Sequence, residues 1–422
     1  MTSFHADPPY SLTAPAAPAT QVLNGAKQVD FLLVGGGYGG LLTAIDLAER
    51  GARVAVIEAG EIGTGGSGRN HGQCIPIFRY LDPQILPPKG VDLLANAGQS
   101  VFDRIRRYDV QCEAVQKGTL TAAYNTRTLA TTRAAQAKYA RLGKSDRYYD
   151  AEEIAALTGT RAFTGGWAHR EGGHVNPLAY VRELARIALS VGVEVFTRSP
   201  MISADRRNGG WTVRTPDGEV QAKVVGLTTD AYSNGAIPKA VTRGFFPLTS
   251  YAIASRPLTA EQRAAVMPSG MNFGDTHHDP MFFRIDASGR IITGGLREPG
   301  RGTRFDYTSA FMTRRLGALW PILADLQWDF MWTGTVSMAL DQTPSIQKLD
   351  DGLWALSGWS GRGVPTSAAL SQAFARTLED PAEGLTYWPQ RTPPKVIARG
   401  LLGASVQLCR GPFNKLRDRL EG

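Results

Sequence analysis

The sequence predicts an α/β fold, α+β overall, on three observations. A strand–glycine turn–helix–strand unit opens the chain at residues 30–58. A second strand–glycine turn–helix unit closes it from residue 353 onward. Between them lie short strand patterns joined by tight turns. Together they describe one nucleotide-type domain built from separated segments, with an antiparallel sheet laid over it.

The opening unit carries the most information. Residues 30–34 are an apolar run ending at Val34 and suit a buried parallel strand. Gly35, Gly37 and Gly40 then occupy the three places of G-x-G-x-x-G, with Tyr38 and Gly39 between them. Residues 41–50 favour a helix that Gly51 stops, and residues 53–57 form a second apolar strand ending in Glu58. This is a Rossmann-like βαβ unit with an acid at the spacing of a ribose 2′-OH contact. Gly35 permits the tight turn, Gly37 lets backbone approach a pyrophosphate, and Gly40 lets helix and strand pack closely. The helix N-terminus offers unpaired N–H groups and partial positive charge to phosphate.

A glycine-rich loop follows at residues 63–73. Residues 91–108 and 133–142 have helical patterns, and Asp150 is placed to cap another helix. Residues 177–191 form an amphipathic helix ending at Gly192. Strands are expected at 193–196, 211–214 and 219–225, with turns at 208–210 and 216–218. Residues 246–295 are mostly strand, and 282–285 and 290–293 are joined by an Asp-Ala-Ser-Gly turn. Residues 308–323 suit a helix, and 353–356 a strand that runs through a glycine turn into a helix near Pro365. The expected division is an arm at 1–23; a cofactor domain from 24–105, 165–245 and 335–385; a substrate domain from 106–164 and 246–334; and a helical tail at 386–422.

With 422 residues, 43% hydrophobic and 20% charged, the chain has ordinary globular composition. No apolar stretch approaches a membrane span. The first 21 residues, rich in Ala and Pro, lack a basic start and apolar segment, so they suit an ordered arm or loose tail better than a signal peptide. Cys74, Cys112 and Cys409 are far apart and odd in number, which favours a reducing cytoplasm over a disulfide framework. Metal-ligand spacing is missing; His277 and His278 have no third ligand at a recognised spacing and suit a loop. The net charge of +8 is scattered, so a nucleic-acid partner is not favoured. The densest basic region is the tail, with Arg410, Lys415, Arg417 and Arg419, read as a solvated helix face.

Several further segments, in this order and spacing, resemble the D-amino-acid oxidase-like superfamily of FAD-dependent oxidoreductases, and within it the gamma-glutamylputrescine oxidoreductase group. They are Ser67-Gly68-Arg69-Asn70-His71-Gly72-Gln73, Gly173-His174-Val175-Asn176-Pro177, Thr228-Thr229-Asp230-Ala231-Tyr232, Phe283-Arg284-Ile285 with Gly289-Arg290, Trp332-Thr333-Gly334 with Asp341 and Pro344, and Gly358-Trp359-Ser360-Gly361-Arg362-Gly363. The resemblance implies FAD. It places Glu58 on the adenosine ribose, Ser67, Arg69, Asn70, His71, Gly72 and Gln73 beside the pyrophosphate and ring, and Met201 at the adenine. Thr228, Thr229 and Gly334 join the cofactor contacts. Gly358, Ser360, Gly361, Arg362, Gly363 and Val364 cradle the flavin's pyrimidine edge, where backbone N–H groups at a helix N-terminus would steady negative charge. A pyridine-nucleotide disulfide reductase would need a second G-x-G-x-x-G and a redox cysteine pair, and the sequence has neither.

The resemblance further implies an amine substrate: hydride passes from the carbon beside nitrogen to flavin N5, and the imine is hydrolysed to an aldehyde or keto product. Oxygen or another acceptor then takes the electrons. Arg284, Arg297, Trp332 and Trp359 are the candidate ring and substrate contacts. An arginine in the strand pattern at 284 must find a partner or face a cavity; both tryptophans suit the core as well as a pocket wall. Relatives usually carry glycine where this chain has His71, so a covalent His71–flavin link is an alternative to the favoured non-covalent cofactor, and Cys74 lies in the same loop. Members acting on small amino acids have a lysine after the C-terminal glycines. Pro365 stands there instead, which favours an extended amine such as gamma-glutamylputrescine or one with its anion far from nitrogen. Alternatives are a D-amino-acid or N-methyl-amino-acid oxidase or dehydrogenase, a flavoprotein modifying a tRNA-borne amine, or a flavin-binding partner subunit without turnover.

Overall fold

A computed structural model describes residues 4–75, 86–140, 144, 147–207, 209–297 and 304–421. Two eight-stranded sheets organise it. In the first, Gly25–Val34 lies between Gly218–Leu227 and Val54–Ile57, and Val54–Ile57 pairs outward with Glu194–Phe196, all in parallel. Leu353–Ser357 adds in parallel beyond Gly218–Leu227, and Ser345–Asp350 pairs antiparallel at the edge. The central strands are buried and read Leu32, Leu33, Val34 and Val54, Ala55, Val56, Ile57, the continuous apolar runs expected of parallel strands covered on both faces. Helices Tyr38–Ala48, Pro177–Ser190 and Gly363–Glu379 pack together on one side, where Leu41, Ile45, Leu184 and Phe374 share a core. The first and last glycine turns therefore meet in one layer, as their repeated pattern predicts.

The second sheet runs Trp328–Met338, Phe246–Pro257, Arg290–Leu296, Phe282–Ile285, Asn272–Asp275, Thr119–Ala123, Gly165–His169 and Arg147–Tyr149. It is antiparallel apart from the pairing of Asn272–Asp275 with Thr119–Ala123. Helix Phe305–Leu319 covers it through Met312 and Leu316, against Phe273, Phe283 and Trp320.

Some elements differ from the sequence reading. Gly165–His169, expected in the cofactor domain, pairs with Thr119–Ala123 in the second sheet. Trp328–Met338 is one continuous strand across the boundary expected near 334. The helix expected at 91–108 is two helices, Pro88–Ala95 and Ala97–Arg107, broken at Asn96, whose side-chain amide donates to the Asp92 carbonyl. The helix expected to reach 323 stops at Leu319, because Trp320 precedes a proline and is extended at φ −131°, ψ 93°. Asn208 of the expected hairpin turn and residues 141 and 142 of an expected helix lie outside the described residues. Asp150 does cap Ala151–Thr158, forming a capping box with Glu153.

The N-terminal arm is an integral part of the fold. Tyr10 is buried, and its hydroxyl donates to the Asn70 carbonyl at 2.7 Å while its own carbonyl accepts from Asn176 Nδ2 at 3.1 Å. The tail helix, Arg399–Glu421, lies along the strand Phe246–Pro257, where Leu402 and Val406 pack on Phe246, Leu248 and Val396.

Candidate active site between the two sheets

A cavity of about 1520 Å³ runs from the first glycine turn, past the loop 66–73, to the second sheet and the tail helix. It exceeds the ~300–1000 Å³ of usual small-ligand pockets, so a dinucleotide and a second molecule fit together.

At the first end, the turn from Val34 into helix Tyr38–Ala48 leaves backbone on the cavity wall. Gly35 has φ 114°, and the N-cap Gly37 has no side chain of its own to cap the helix. A Cβ at Gly40 would sit 2.0 Å from the Gly35 carbonyl oxygen, and one at Gly37 would sit 2.9 Å from Ser67 Oγ. Glu58 stands at the end of the next strand: its Oε2 accepts from Gly36 N–H at 2.7 Å and its Oε1 from Gly60 N–H at 2.9 Å. Each oxygen keeps a further lone pair for a hydroxyl donor. Ser67 Oγ accepts from Tyr38 N–H at 3.0 Å, while the Tyr38 ring is buried and its hydroxyl donates to the Pro177 carbonyl. The Tyr38 N–H is thus taken by Ser67, and its side chain serves the core. Thr228 Oγ1 donates to the Val34 and Gly35 carbonyls, pinning the turn; Thr229, paired with Ser233, and Met201 line the same end.

In the loop, Asn70 is the organiser. Its amide donates to the Gly66 and Ser67 carbonyls, and its Oδ1 accepts from Gly72 N–H at 2.8 Å. Gly72 has φ 75°, and a Cβ there would meet the Val175 carbonyl at 2.2 Å. Arg69 donates from Nε to the Thr64 carbonyl and Gln73 from its amide to the Phe283 carbonyl. His71 lines the cavity edge-on to Phe282, with Nε2 turned toward Gly294. Burial, and then the charge of Arg284, push its pKa down to about 4, so the ring is neutral at pH 7. Cys74 points away from the cavity: it pairs with Gly173 and is fully buried, and burial raises its thiol pKa.

The last glycine turn closes the middle of the cavity. Gly358, Ser360 and Gly361 have positive φ (88°, 51° and 83°), and Arg362 is the N-cap of helix Gly363–Glu379. A Cβ at Gly361 or Gly363 would meet nothing within 4 Å, so this backbone opens on the cavity, beside Val364 and Pro365. Sequence reasoning missed the residue that fixes this turn. Asp230, itself at φ 46°, accepts from Gly358 N–H at 2.8 Å and from Ser337 Oγ at 2.6 Å. Its carboxylate ties the 228–232 loop, the strand Trp328–Met338 and the glycine turn together, and burial raises its pKa.

The four expected ring and substrate contacts divide. Trp332 and Trp359 line the cavity; Trp332 Nε1 donates to the Arg69 carbonyl at 2.8 Å, and Trp359 packs against Gly39. Gly334 lines it beside them. Arg284 does not line it: the side chain is buried behind the loop, with Nε donating to the His71 carbonyl at 2.6 Å and the guanidinium 5.7 Å from the Tyr10 ring centroid. Arg297 sits at the end of its strand, where its carbonyl accepts from Gln407 of the tail helix, and is likewise off the wall. His277 lies in the loop beyond Asp275, its Nδ1 2.8 Å from Asp275 Oδ2, and its ring stacks on Tyr124. Arg410, Lys415 and Arg417, read as a solvated face, line the far wall.

Cavity size, the exposed backbone at two helix N-termini and the free lone pairs of Glu58 all fit FAD. Residues 30–377 match the family of FAD dependent oxidoreductases, DAO. The chain belongs to that family. It is 28% identical to gamma-glutamylputrescine oxidoreductase from Escherichia coli (strain K12) over 393 residues, covering 90% of each chain. It is 27% identical to a probable oxidoreductase, OrdL, from Haemophilus influenzae over 392 residues, covering 90% of this chain and 88% of that one. Among solved structures, L-proline dehydrogenase from P. horikoshii superposes with a TM-score of 0.72 at 18% identity, covering 84% of this chain and 94% of that one. The protein is therefore an FAD-dependent oxidoreductase of the DAO family, with the mixed α/β fold read from its sequence. Among the described residues, no helix is long and apolar enough to cross a membrane.

Proposed function

We propose that the protein oxidises the C–N bond of an extended primary or secondary amine, giving an imine that water hydrolyses to an aldehyde or keto product. The observation that carries this reading is Pro365. It lines the cavity in the first turn of helix Gly363–Glu379, beside the glycine turn, and offers no cation to a compact α-carboxylate. The cavity continues well beyond it, so a longer amine suits the space. The likeness to gamma-glutamylputrescine oxidoreductase points the same way.

Bound FAD supplies the hydride acceptor. Gly35–Tyr38 backbone, Glu58 and the loop 66–73 would hold its adenosine and phosphates, and the turn at Gly358–Val364 its ring. Trp332 and Trp359 wall the middle of the cavity and exclude water from the reacting carbon. His71 is neutral and adds no positive charge against the amine. We infer non-covalent FAD: acid precipitation should leave the yellow colour in the supernatant, and colour retained in the pellet would establish a link to the chain.

The function is tested by anaerobic mixing of the holoenzyme with a panel of diamines, N-acylated diamines, N-methyl amino acids and D-amino acids. Bleaching of the flavin band near 450 nm by the extended amines, and weaker bleaching by the amino acids, is expected. Bleaching by dithionite alone would refute turnover of amines. Air admitted afterwards separates an oxidase, whose colour returns at once, from a dehydrogenase.

A further inference from the structure

Hydride does not leave the carbon beside an ammonium, because that nitrogen has no lone pair to share with it. At neutral pH an alkylamine is almost wholly protonated, its reference pKa being about 10.4. A base in the cavity would free the lone pair. Several acids and bases on the cavity wall are committed elsewhere. Glu58 holds two backbone N–H groups, Asp230 fixes the last glycine turn, and Asp279 pairs with Arg315 at 3.3 Å. His71 resists protonation, its pKa pushed down to about 4 by burial first and then by the charge of Arg284. His277 is placed differently.

His277 lines the cavity in the loop between strands Asn272–Asp275 and Phe282–Ile285. Those strands pair Gly274 with Phe282, and the Phe282 ring stands edge-on to His71 at 5.1 Å. The loop therefore starts beside the segment 66–73. Asp275 fixes the imidazole. Its Oδ2 lies 2.8 Å from His277 Nδ1, and its Oδ1 accepts from the N–H groups of His277 and Met281 at 3.2 and 2.9 Å. A carboxylate that accepts from Nδ1–H leaves the lone pair of the neutral ring on Nε2. The Tyr124 ring, 3.8 Å away and within 15° of parallel, holds the plane of the imidazole. Among the described residues, Nε2 has no hydrogen-bond partner. His277 keeps 28% of its side chain accessible against 1% for Asp275, so a solute reaches the ring and not the carboxylate. The other charged groups nearby are His278 and Asp279 of the same loop, Arg315 through Asp279, and Asp418 of the tail helix, which accepts from the N–H groups of His278 and Asp279. Arg127 and Lys415 line the same cavity.

We propose that the Asp275–His277 dyad is the base of the reaction: His277 Nε2 takes a proton from the substrate ammonium, and Asp275 is the positioning residue that fixes the tautomer and offsets the imidazolium charge. The inference rests on the amine-oxidation reading. One N–H bond of the ammonium breaks and an Nε2–H bond forms. The electron pair stays on nitrogen, and hydride then leaves the adjacent carbon for the acceptor that reading already supplies. The experiment follows flavin reduction in the anaerobic holoenzyme from about pH 7 to about pH 10. His277→Asn keeps a donor for Asp275 but has no basic nitrogen. Asp275→Asn offers Nδ1 a donor and so moves the ring proton to Nε2. Near pH 7 both variants should reduce about 100-fold more slowly than the parent. The gap should close toward about pH 10, where the amine loses its proton unaided. Imidazole in the buffer should restore part of the rate to His277→Ala near pH 7. A purely structural role would slow reduction alike at every pH and would not respond to imidazole. A second readout needs no turnover. A tert-alkylamine, which has no hydrogen on the carbon beside nitrogen, should move the His277 ring signal in the proton NMR spectrum to the imidazolium position. That signal is identified among those of six histidines by its loss in His277→Asn. Parallel pH profiles of the parent and His277→Asn, or a ring signal that does not move, would overturn the inference while the amine reading stands. A parent flavin that no amine reduces would refute both.

Discussion

The two ends of the cavity are built by different means. The end proposed for the FAD phosphates is made of backbone: Gly35 at φ 114°, a helix start at Gly37, which has no side chain of its own to cap it, and Gly40, which tolerates no Cβ. The far end is made of side chains from elements remote in sequence: Phe282, Phe311, Arg315 and the tail residues Arg410 to Arg417. Backbone geometry is set by local sequence, and any dinucleotide presents the same pyrophosphate to it. Side chains gathered from afar can change one at a time, whereas a backbone cradle cannot.

The comparison breaks most sharply at Gly40. Gly40→Ala puts a methyl 2.0 Å from the Gly35 carbonyl, so strand turn and helix must separate. A loss of about 3 kcal/mol or more is expected, with protein purified largely free of FAD, read from the ratio of absorbance at 450 and 280 nm and from the melting temperature. No such loss is expected from side-chain changes at the far wall.

Glu58→Gln should cost less. It replaces an acceptor of two backbone N–H groups by one that can accept only through a single oxygen. A loss of about 2 kcal/mol, or roughly 30-fold in FAD dissociation constant, is expected, measured by quenching of flavin fluorescence on titrating apoprotein.

The junction between the ends should be sensitive to acid. His71 and His174 have pKa values depressed to about 4 and about 3, in both cases by burial first and the charge of Arg284 second. A histidine depressed in the folded state takes up its proton more readily when unfolded. Its contribution is therefore complete above about pH 6.5 and is lost as pH falls through the folded values. Unfolding free energies of the parent and of His71→Gln, measured from pH 7 to pH 4, should differ in slope, with the parent losing roughly 2 kcal/mol more over that range. Parallel curves would show that the ring is solvated in the folded protein.

Asp230→Asn is the mildest change. One of the two bonds, to Gly358 N–H or Ser337 Oγ, can be kept by the amide oxygen, so about 1 kcal/mol of stability should be lost. A shift in the flavin absorption maximum with FAD still bound would show that the glycine turn has moved.

How far the sequence could be read follows the same division. Gly35, Gly37, Gly40 and Glu58 are legible in position because one βαβ unit fixes their spacing and backbone geometry. The last glycine turn is legible because it repeats that pattern. Asp230 stood only within the segment Thr228–Tyr232 and had no role assigned, since its partners Ser337 and Gly358 lie more than 100 residues away. Arg284 follows the rule that a buried strand arginine must find a partner or face a cavity: it found the His71 carbonyl behind the loop, and so stands off the cavity wall where a ring or substrate contact was expected. The basic tail looked like a solvated face because nothing local to it reveals that Asn414 and Asp418 dock on residues 278 and 279.

The central claim, that one cavity holds FAD at its backbone end and oxidises an amine at its middle, is tested most directly by a single anaerobic turnover. Holoenzyme mixed with excess extended amine, then quenched, should yield one carbonyl product per flavin bleached. Bleaching without a carbonyl product, or a flavin that dithionite reduces and no amine does, would contradict it.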